Sequence, residues 1–278
     1  MNTRIIDTSW HPLITGCPPH WASGWGQDRW GVFVEITLQE VTQRLRWIPP
    51  GRFWMGSPEG EPGRDDDEGP RHLVTLSDGY WLFDTPCTQA LWEAVMGKNP
   101  SRFQDPTRPV EQVSWNDVQA FLKRANEQIP GLNLSLPSEA QWEYACRAGT
   151  ETAIYTGDLD ILGDFDAPAL DPIAWYSGNS ESGTHSVKLK CANPWGLYDL
   201  LGNVLEWTQD DWHGNYQGAP SDGSAWLSDG ADITRVLRGG SWDDGARDVR
   251  AAYRYDNVPG HRYDLIGFRC ARTWGEPS

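Results

Sequence analysis

The pattern of apolar and polar residues predicts strands near the start of the chain and irregular structure on both sides of them. Residues 32–47 (VFVEITLQEVTQRLRW) alternate well enough for one or two β-strands, and Pro49, Pro50 and Gly51 end the segment. Residues 1–30 mix Trp, Gly, Pro and His without periodicity, which predicts an irregular arm lying on the body. From about residue 150 onward the chain breaks into turns and short strands.

Three segments have the pattern of helices. Residues 88–96 are followed by Gly97, a residue typical of helix ends. Residues 114–126 carry an apolar stripe at helical spacing. Ser138 and Gln141 have the spacing of a capping box, so a third helix begins there. We find no linker and no internal repeat, and we therefore expect one α+β domain dominated by loops.

Charge and residue composition exclude several kinds of partner and location for the protein. The net charge of −16 and pI near 4.7 disfavour nucleic acid and anionic lipid as partners. No apolar run approaches the ~18 residues of a membrane span, and the first ten residues, MNTRIIDTSW, contain no apolar core of a secretory signal, so we expect a cytoplasmic protein without membrane insertion.

The five cysteines contain no Cys-x-x-Cys pair, which predicts buried free thiols. The acidic stretch 59–69 (EGEPGRDDDEG) predicts a solvated loop, with a cation-binding loop as the alternative.

Seven segments in a fixed order resemble one family. They are IPPGRFWMGS (48–57), RPVEQVSW (108–115), LPSEAQWEYA (136–145), NPWGLYDL (193–200), LGNVLEW (201–207), RGGSW (238–242) and IGFR (266–269). Together they resemble the sulfatase-modifying-factor, or formylglycine-generating-enzyme, family over about residues 46–273. The resemblance implies a variant of the C-type-lectin-like fold, with short twisted sheets, two or three helices and much irregular structure. Residues 46–278 would form this domain, and residues 1–45 would be an extension packed on it.

The resemblance also defines a chemistry that this sequence lacks. Catalytic members bind copper(I) through two cysteines shortly after the Gly-Gly-Ser-aromatic motif, because soft thiolates hold Cu(I). Here Asp244 holds the first place, the second falls near Ala246, and residues 239–269 contain no Cys. We therefore expect no copper and no formylglycine generation. Another branch binds non-haem iron through a His-x-x-x-His-x-Glu set, and no pair of the six His has that spacing.

Calcium is the one metal that the resemblance favours. Family members often hold structural calcium in the Gly-Asn-Val-x-Glu loop, which Asn203, Val204 and Glu206 match, and oxygen ligands from a loop suit Ca²⁺. The alternative is that Asn203 makes an Asx turn and Glu206 a salt bridge or cap.

The C-terminal segment resembles the variable region of retroelement-diversified proteins, many of which use this fold. Random replacement of adenines in Asn codons cannot give Lys, Glu, Gln, Met or Trp, and none of these occurs between Asp243 and Leu265. Tyr, Asp, Asn and Gly are residue types of adaptable binding surfaces. The candidate ligand-binding residues are Trp242, Asp243, Asp244, Gly245, Asp248, Tyr253, Tyr255, Asp256, Asn257, His261, Tyr263, Asp264 and Leu265.

The arginines of this segment are interpreted as a frame for those residues. We expect them to pair with carboxylates inside the loops, because the chain is strongly acidic. They are Arg238, Arg247, Arg250, Arg254, Arg262 and Arg269. Trp242 fits either the core or the floor of a site.

Three functional hypotheses remain open. The first is a non-catalytic protein that binds another protein through residues of about 242–265. The second is a metal-dependent, non-haem iron oxidoreductase of the same fold. The third is an undiversified regulatory module whose residues 1–45 dock a partner.

Overall fold

A computed structural model of the 278-residue chain describes residue 12 and residues 16–230 and 233–273. The described strands, in chain order, are β1 (Gly24–Asp28), β2 (Gly31–Leu38), β3 (Val41–Ile48), β4 (Gly51–Met55), β5 (His72–Leu76), β6 (Tyr80–Phe83), β7 (Leu205–Asp211), β8 (Arg235–Arg238), β9 (Arg254–Asn257), β10 (Ile266–Gly267) and β11 (Ala271–Thr273). The α-helices are α1 (Gln89–Met96), α2 (Trp115–Gln128) and α3 (Glu139–Arg147). The predicted α+β architecture with short sheets and two or three helices is confirmed.

The largest sheet joins the two ends of the described chain. Its strand order is β1-β2-β3-β6-β11, and all neighbours in it are antiparallel. Alternate residues of β2, such as Val34 and Ile36, are buried in the core, as the period-2 pattern predicts. The boundary predicted at residue 45 falls inside β3, so the described part of residues 1–45 is continuous with the sheet.

The predicted irregular arm over residues 1–30 is wrong for residues 24–28, which form the edge strand β1. Two glycines allow this close pairing: a Cβ on Gly24 would meet the Glu35 carboxylate at 2.8 Å, and one on Gly26 would meet the Phe33 ring at 2.7 Å. Trp25 of this strand is half exposed, so β1 has no apolar alternation from which a strand could be predicted.

The three helices begin where the sequence predicts. The Thr88 hydroxyl accepts a hydrogen bond from Leu91 N at the start of α1, and Ser114 and Ser138 form capping boxes at α2 and α3. Gly97 ends α1 in the left-handed conformation, at φ 82°. Of the helices in the described ranges, none is long and apolar enough to cross a membrane.

The second sheet carries the C-terminal segment. Its order is β10-β7-β8-β9, with β10 and β7 parallel and the other pairs antiparallel. Between β8 and β9 the chain makes a 3-10 turn, Ala246–Asp248, and α3 packs against β7 and β8. The irregular region 148–204 contributes buried residues such as Leu170 and Leu201 to an apolar cluster that also includes Trp142 of α3.

Candidate functional site

Buried arginines hold the C-terminal segment on the body of the protein. Arg238 reaches α3, with Nη2 2.6 Å from Glu143 Oε2 and Nη1 3.2 Å from Glu139 Oε1. The same Nη2 also donates to the Ala251 carbonyl at 2.6 Å, so one guanidinium ties the turn between β8 and β9 to the helix. Arg238, Glu139 and Glu143 are all buried, which makes these charge-assisted bonds strong and costly to break.

Arg250 ties the same turn to the acidic stretch 59–69. Its Nη1 lies 2.8 Å from Glu61 Oε1, its Nη2 lies 2.6 Å from Glu68 Oε1, and it also donates to the Gly63 carbonyl. Burial alone would raise the pKa of Glu68, but the Arg250 guanidinium holds it below its usual value. The predicted solvated loop is therefore wrong for Glu61 and Glu68, because both carboxylates are buried as partners of Arg250.

Arg254 fixes the start of β9. Its guanidinium contacts both carboxylate oxygens of Glu139, at 2.7 and 3.2 Å, and donates to the carbonyls of Asp67 and His213. Burial opposes the charge of Glu139, yet Arg254 and Arg238 lower the pKa of this carboxyl below its usual value. Arg254 points inward, so the next residue of the strand, Tyr255, points outward.

All six arginines of the frame pair with carboxylates, as the sequence predicts. Arg269 pairs with Glu206 at 2.7 Å, Arg262 with Asp117 at 2.6 Å, and the half-exposed Arg247 with Asp65 at 2.8 Å. The predicted location of the partners is wrong for several of them. Four of the carboxylates lie in helices or strands and not in loops: Asp117, Glu139, Glu143 and Glu206.

All candidate ligand-binding residues except Trp242 are exposed or half-buried. The exposed ones are Asp243, Tyr255, His261 and Tyr263, and the half-buried ones are Asp244, Gly245, Asp248, Tyr253, Asp256, Asn257, Asp264 and Leu265. The side chains of Tyr255 and Tyr263 are 44% and 46% exposed. Between these positions the frame residues Val249, Ala251 and Ala252 are fully buried.

Trp242 is a correction to the predicted set. It is only 7% exposed, its Nε1 donates to the Asp264 carbonyl at 2.9 Å, and its ring packs edge-on against Phe103. The side chain therefore supports the surface from below and does not face a ligand. Leu265 also anchors the segment, because its carbonyl accepts a hydrogen bond from Leu205 N at 2.8 Å.

Asp244, Asp248 and Tyr253 form a half-buried cluster, here called the recess, beside the 3-10 turn. Asp244 Oδ2 accepts hydrogen bonds from the amide and hydroxyl of Ser241, at 2.8 and 2.7 Å. Burial raises the pKa of Asp248 to about 6, and the neighbouring Asp244 carboxylate adds to this. Burial and these two carboxylates also raise the pKa of Tyr253. The recess carries carboxylates and a phenol where catalytic relatives need thiolates, and Ala246, near the second cysteine position, is fully buried.

Another part of the surface is built from the loop 257–265. The His261 Nδ1 lies 2.7 Å from Asn257 Oδ1, and the His261 ring meets the Tyr263 ring edge-on at 5.8 Å. Asp264 is held by an ion pair with Arg102. These contacts order the loop while leaving the outer faces of His261 and Tyr263 in solvent.

A second loop, which no sequence pattern indicated, lies beside this surface. Residues 158–166, here called the 158–166 loop, touch the turn of the C-terminal segment, because the Ala246 amide donates to the Asp164 carbonyl at 2.8 Å. Nearby, the Ser177 amide donates to the Asp244 carbonyl at 3.0 Å. Both contacts join backbone groups far apart in sequence, so no local pattern could have revealed them.

The residues predicted to hold calcium do not fit it. Both Glu206 oxygens bind Arg269, at 2.7 and 2.8 Å, and Oε2 also accepts from Trp142 Nε1. Asn203 Oδ1 accepts from the His185 amide at 2.9 Å. The loop of Asn203, Val204 and Glu206 is thus an internal brace, and Glu206 makes the salt bridge of the alternative interpretation. Within the described ranges, no three His, Cys, Asp or Glu side chains are grouped so that they could hold a metal ion.

Comparison with known proteins supports the family at the level of sequence. Residues 34–274 match the family of sulfatase-modifying factor enzyme 1-like domains. An inactive C-alpha-formylglycine-generating enzyme 2 of Bos taurus is 32% identical over 212 residues, which cover 71% of this chain and 60% of that protein. A formylglycine-generating enzyme of Thermomonospora curvata is 28% identical over 293 residues, which cover 84% of this chain and 94% of that protein. The chain thus spans only about 60% of the length of the cattle protein.

Two solved structures are similar over most of their length. PvdO from Pseudomonas aeruginosa has a TM-score of 0.74 at 31% identity and covers 83% of this chain and 94% of its own. Treponema denticola variable protein 1 has a TM-score of 0.71 at 30% identity and covers 86% of this chain and 98% of its own. The chain therefore belongs to the family of sulfatase-modifying factor enzyme 1-like domains, with the formylglycine-generating-enzyme type of C-type-lectin-like fold.

Proposed function

We propose that this chain is a non-catalytic binding protein that presents residues 243–265 to a protein ligand. The observation that carries the proposal is the division of this segment into two sets. Arg250, Arg254, Val249 and the alanines are buried, and the two arginines bind α3 and the acidic stretch, while the Asp, Tyr, His and Asn side chains are exposed or half-buried. The buried set fixes the backbone, so the other set can vary without loss of the fold.

The comparisons support this function over catalysis. Treponema denticola variable protein 1 is similar over nearly its whole length, and the family includes relatives named as inactive. The missing thiolates at Asp244 and Ala246 remove the ligands that copper(I) needs. A surface of tyrosines with short polar residues favours a protein ligand, because Tyr offers large contact area at low entropic cost. The acidic net charge disfavours nucleic acid as that ligand.

A library experiment tests whether the surface can vary. Asp243, Tyr255, His261 and Tyr263 are randomised together on the displayed full chain, and the library is sorted for folded display and for binding to a purified model protein such as lysozyme. We expect most clones to display as well as the parent and specific binders to emerge. A matched library at the buried positions Val249, Ala251, Ala252 and Ile266 should display poorly. Equal loss of display in both libraries would contradict the proposal.

Two further measurements separate binding from enzymatic function. The purified chain, incubated with copper and a cysteine-containing peptide, should form no aldehyde, and metal analysis should find no stoichiometric transition metal. Sequencing of the encoding locus should reveal a near-copy of the 3′ end that differs mainly at adenines, beside a reverse transcriptase. Aldehyde formation would overturn the proposal, and a locus without the near-copy would favour an undiversified member of the family.

A further inference from the structure

Two large apolar side chains stand exposed next to the proposed binding surface. Leu162 and Phe165 are each 69% exposed, although they belong to an ordered turn. The Leu162 and Gly163 amides donate to the Asp166 carbonyl at 2.9 and 3.2 Å, and the Asp166 amide donates back to Gly163 at 3.0 Å. Two large exposed apolar side chains within one braced turn form a small patch, and such patches occur at binding sites.

The turn is continuous with the C-terminal segment. The Asp164 carbonyl, between Leu162 and Phe165, accepts the hydrogen bond from Ala246 N described above. A Cβ on Gly245 would lie 3.4 Å from the same carbonyl. The turn that carries Leu162 and Phe165 therefore packs against residues 245 and 246 of the C-terminal segment.

A cavity of about 400 Å³ adjoins the same loop. Its lining includes the carboxylate residues Glu61, Glu151, Asp158 and Asp160. Glu61 is neutralised by Arg250 and Glu151 by Arg71, but no Lys or Arg in the described ranges pairs with Asp158 or Asp160. The cavity also touches the frame, because the Ala153 carbonyl on its wall accepts a hydrogen bond from Ala251 N at 2.8 Å.

The charge of the 158–166 loop and its cavity indicates which kind of ligand they could bind. Between residues 148 and 187 the sequence contains no Lys or Arg, and the exposed residues Asp158, Asp160, Asp164 and Asp166 lie within four residues of Leu162 or Phe165 in the sequence. Such a field attracts cations and repels phosphate groups and anionic lipid. A long Lys or Arg side chain could enter the cavity with its head group near Asp158 and Asp160 while its neighbour covers Leu162 and Phe165.

We propose that the 158–166 loop and its cavity form a constant half of the binding surface, which fits a protein segment presenting a Lys or Arg beside an apolar side chain. This inference rests on the proposed binding function and adds a part that does not vary. The variable half would select the partner, and the constant half would supply a common anchor.

Selection of peptides tests the inference. A random peptide library displayed on phage is panned on the immobilised full chain, and the enriched peptides are synthesised and titrated. We expect them to combine Lys or Arg with an aromatic or aliphatic residue. The Leu162→Ser/Phe165→Ser variant should bind them about tenfold more weakly, because it removes the apolar area that they would bury. The matched variant Trp25→Ser/Leu227→Ser changes two side chains of similar exposure elsewhere and should bind as the parent does.

A second variant tests the contribution of the Asp158 and Asp160 carboxylates separately from that of the apolar side chains. Asp158→Asn/Asp160→Asn keeps the size of the side chains, and it should weaken binding and flatten its dependence on salt. Thermal melts of all variants verify folding. If Tyr255→Ser/Tyr263→Ser abolishes binding while the loop variants do not, the proposed function stands and this inference falls. If no peptide is enriched, or if neither pair of substitutions weakens binding, both fall.

Discussion

At the scale of the residue, guanidinium groups decide which side chains of the C-terminal segment face outward. Arg238, Arg250 and Arg254 each combine a buried carboxylate with backbone carbonyls, a geometry that the planar fork of Arg supplies and Lys does not. The sequence predicts that these arginines are paired, because the chain is acidic and Arg recurs in the segment. It cannot predict that Arg250 pairs with Glu68, because 182 residues separate them and the stretch around Glu68 has the composition of a solvated loop.

The pairing of Arg250 gives the first prediction. Arg250→Ala should lower the free energy of unfolding by about 3–5 kcal/mol, because it leaves the buried Glu61 and Glu68 without their cation. Urea denaturation measures this change. Arg247→Ala is the matched control: both members of its pair with Asp65 are nearly half exposed, so its effect should stay within about 1 kcal/mol. Equal effects of the two substitutions would show that Arg250 does not anchor the segment.

At the scale of the element, the sequence predicts helices that begin with local capping signals, but it does not predict a strand that depends on pairing with a neighbouring strand. Each of α1, α2 and α3 starts at a side-chain hydroxyl that accepts a hydrogen bond from the backbone amide three residues later. Because this signal is local, the capping roles of Thr88, Ser114 and Ser138 can be predicted from the sequence. By contrast, β1 has its first residue, Gly24, opposite Glu35 and no apolar pattern of its own. Strand β1 depends on its pairing with β2, and the sequence therefore predicted irregular structure where a strand forms.

The position of β2 in the sheet gives the second prediction. Ile36→Ala should lower the free energy of unfolding by about 2–5 kcal/mol, because Ile36 is fully buried. Thr37→Ala, on the opposite face of the same strand, removes only exposed hydroxyl contacts and should cost within about 1 kcal/mol. Urea unfolding followed by Trp fluorescence should show one transition that moves as a whole for Ile36→Ala. A main transition that stays in place would mean that residues 1–45 are a separate extension.

At the scale of the whole molecule, the proposed surface combines what the sequence reveals with what only the fold brings together. The sequence predicts a polar surface over residues 243–265, because Arg and Ala interrupt a run of Tyr, Asp, Asn and His, and Asp243, Tyr255, His261 and Tyr263 are exposed. Trp242 was ambiguous in sequence, since an indole suits either a core or a site, and its contacts place it below the surface. The 158–166 loop joins the surface only through backbone hydrogen bonds, which composition and periodicity cannot predict.

Burial of several carboxyl groups makes the stability of the whole molecule depend on pH. Burial raises the pKa of Glu111 to about 7, of Asp210 to about 7 and of Asp199 to about 6, from ordinary values near 4. The folded protein therefore binds these protons more tightly than the unfolded chain does. Their contribution to stability is complete below about pH 4 and is lost as the pH rises through about 6 to 7. Glu68 and Glu139 act oppositely, because arginines lower their pKa and their contribution disappears in acid.

The third prediction follows from these signs. The free energy of unfolding should be greatest near about pH 5 and lower at about pH 8, because the buried carboxyls must ionise without cations to pair them. Urea denaturation across this range measures the difference. Glu111→Gln should reduce it, since the amide keeps the oxygen that accepts from Phe103 N but cannot ionise. Glu151→Gln changes an exposed carboxylate and serves as the control, with a pH profile like that of the parent. Stability that rises steadily from about pH 5 to 8 would mean that these carboxyls are ionised and stabilised in the folded protein, contrary to the effect of their burial.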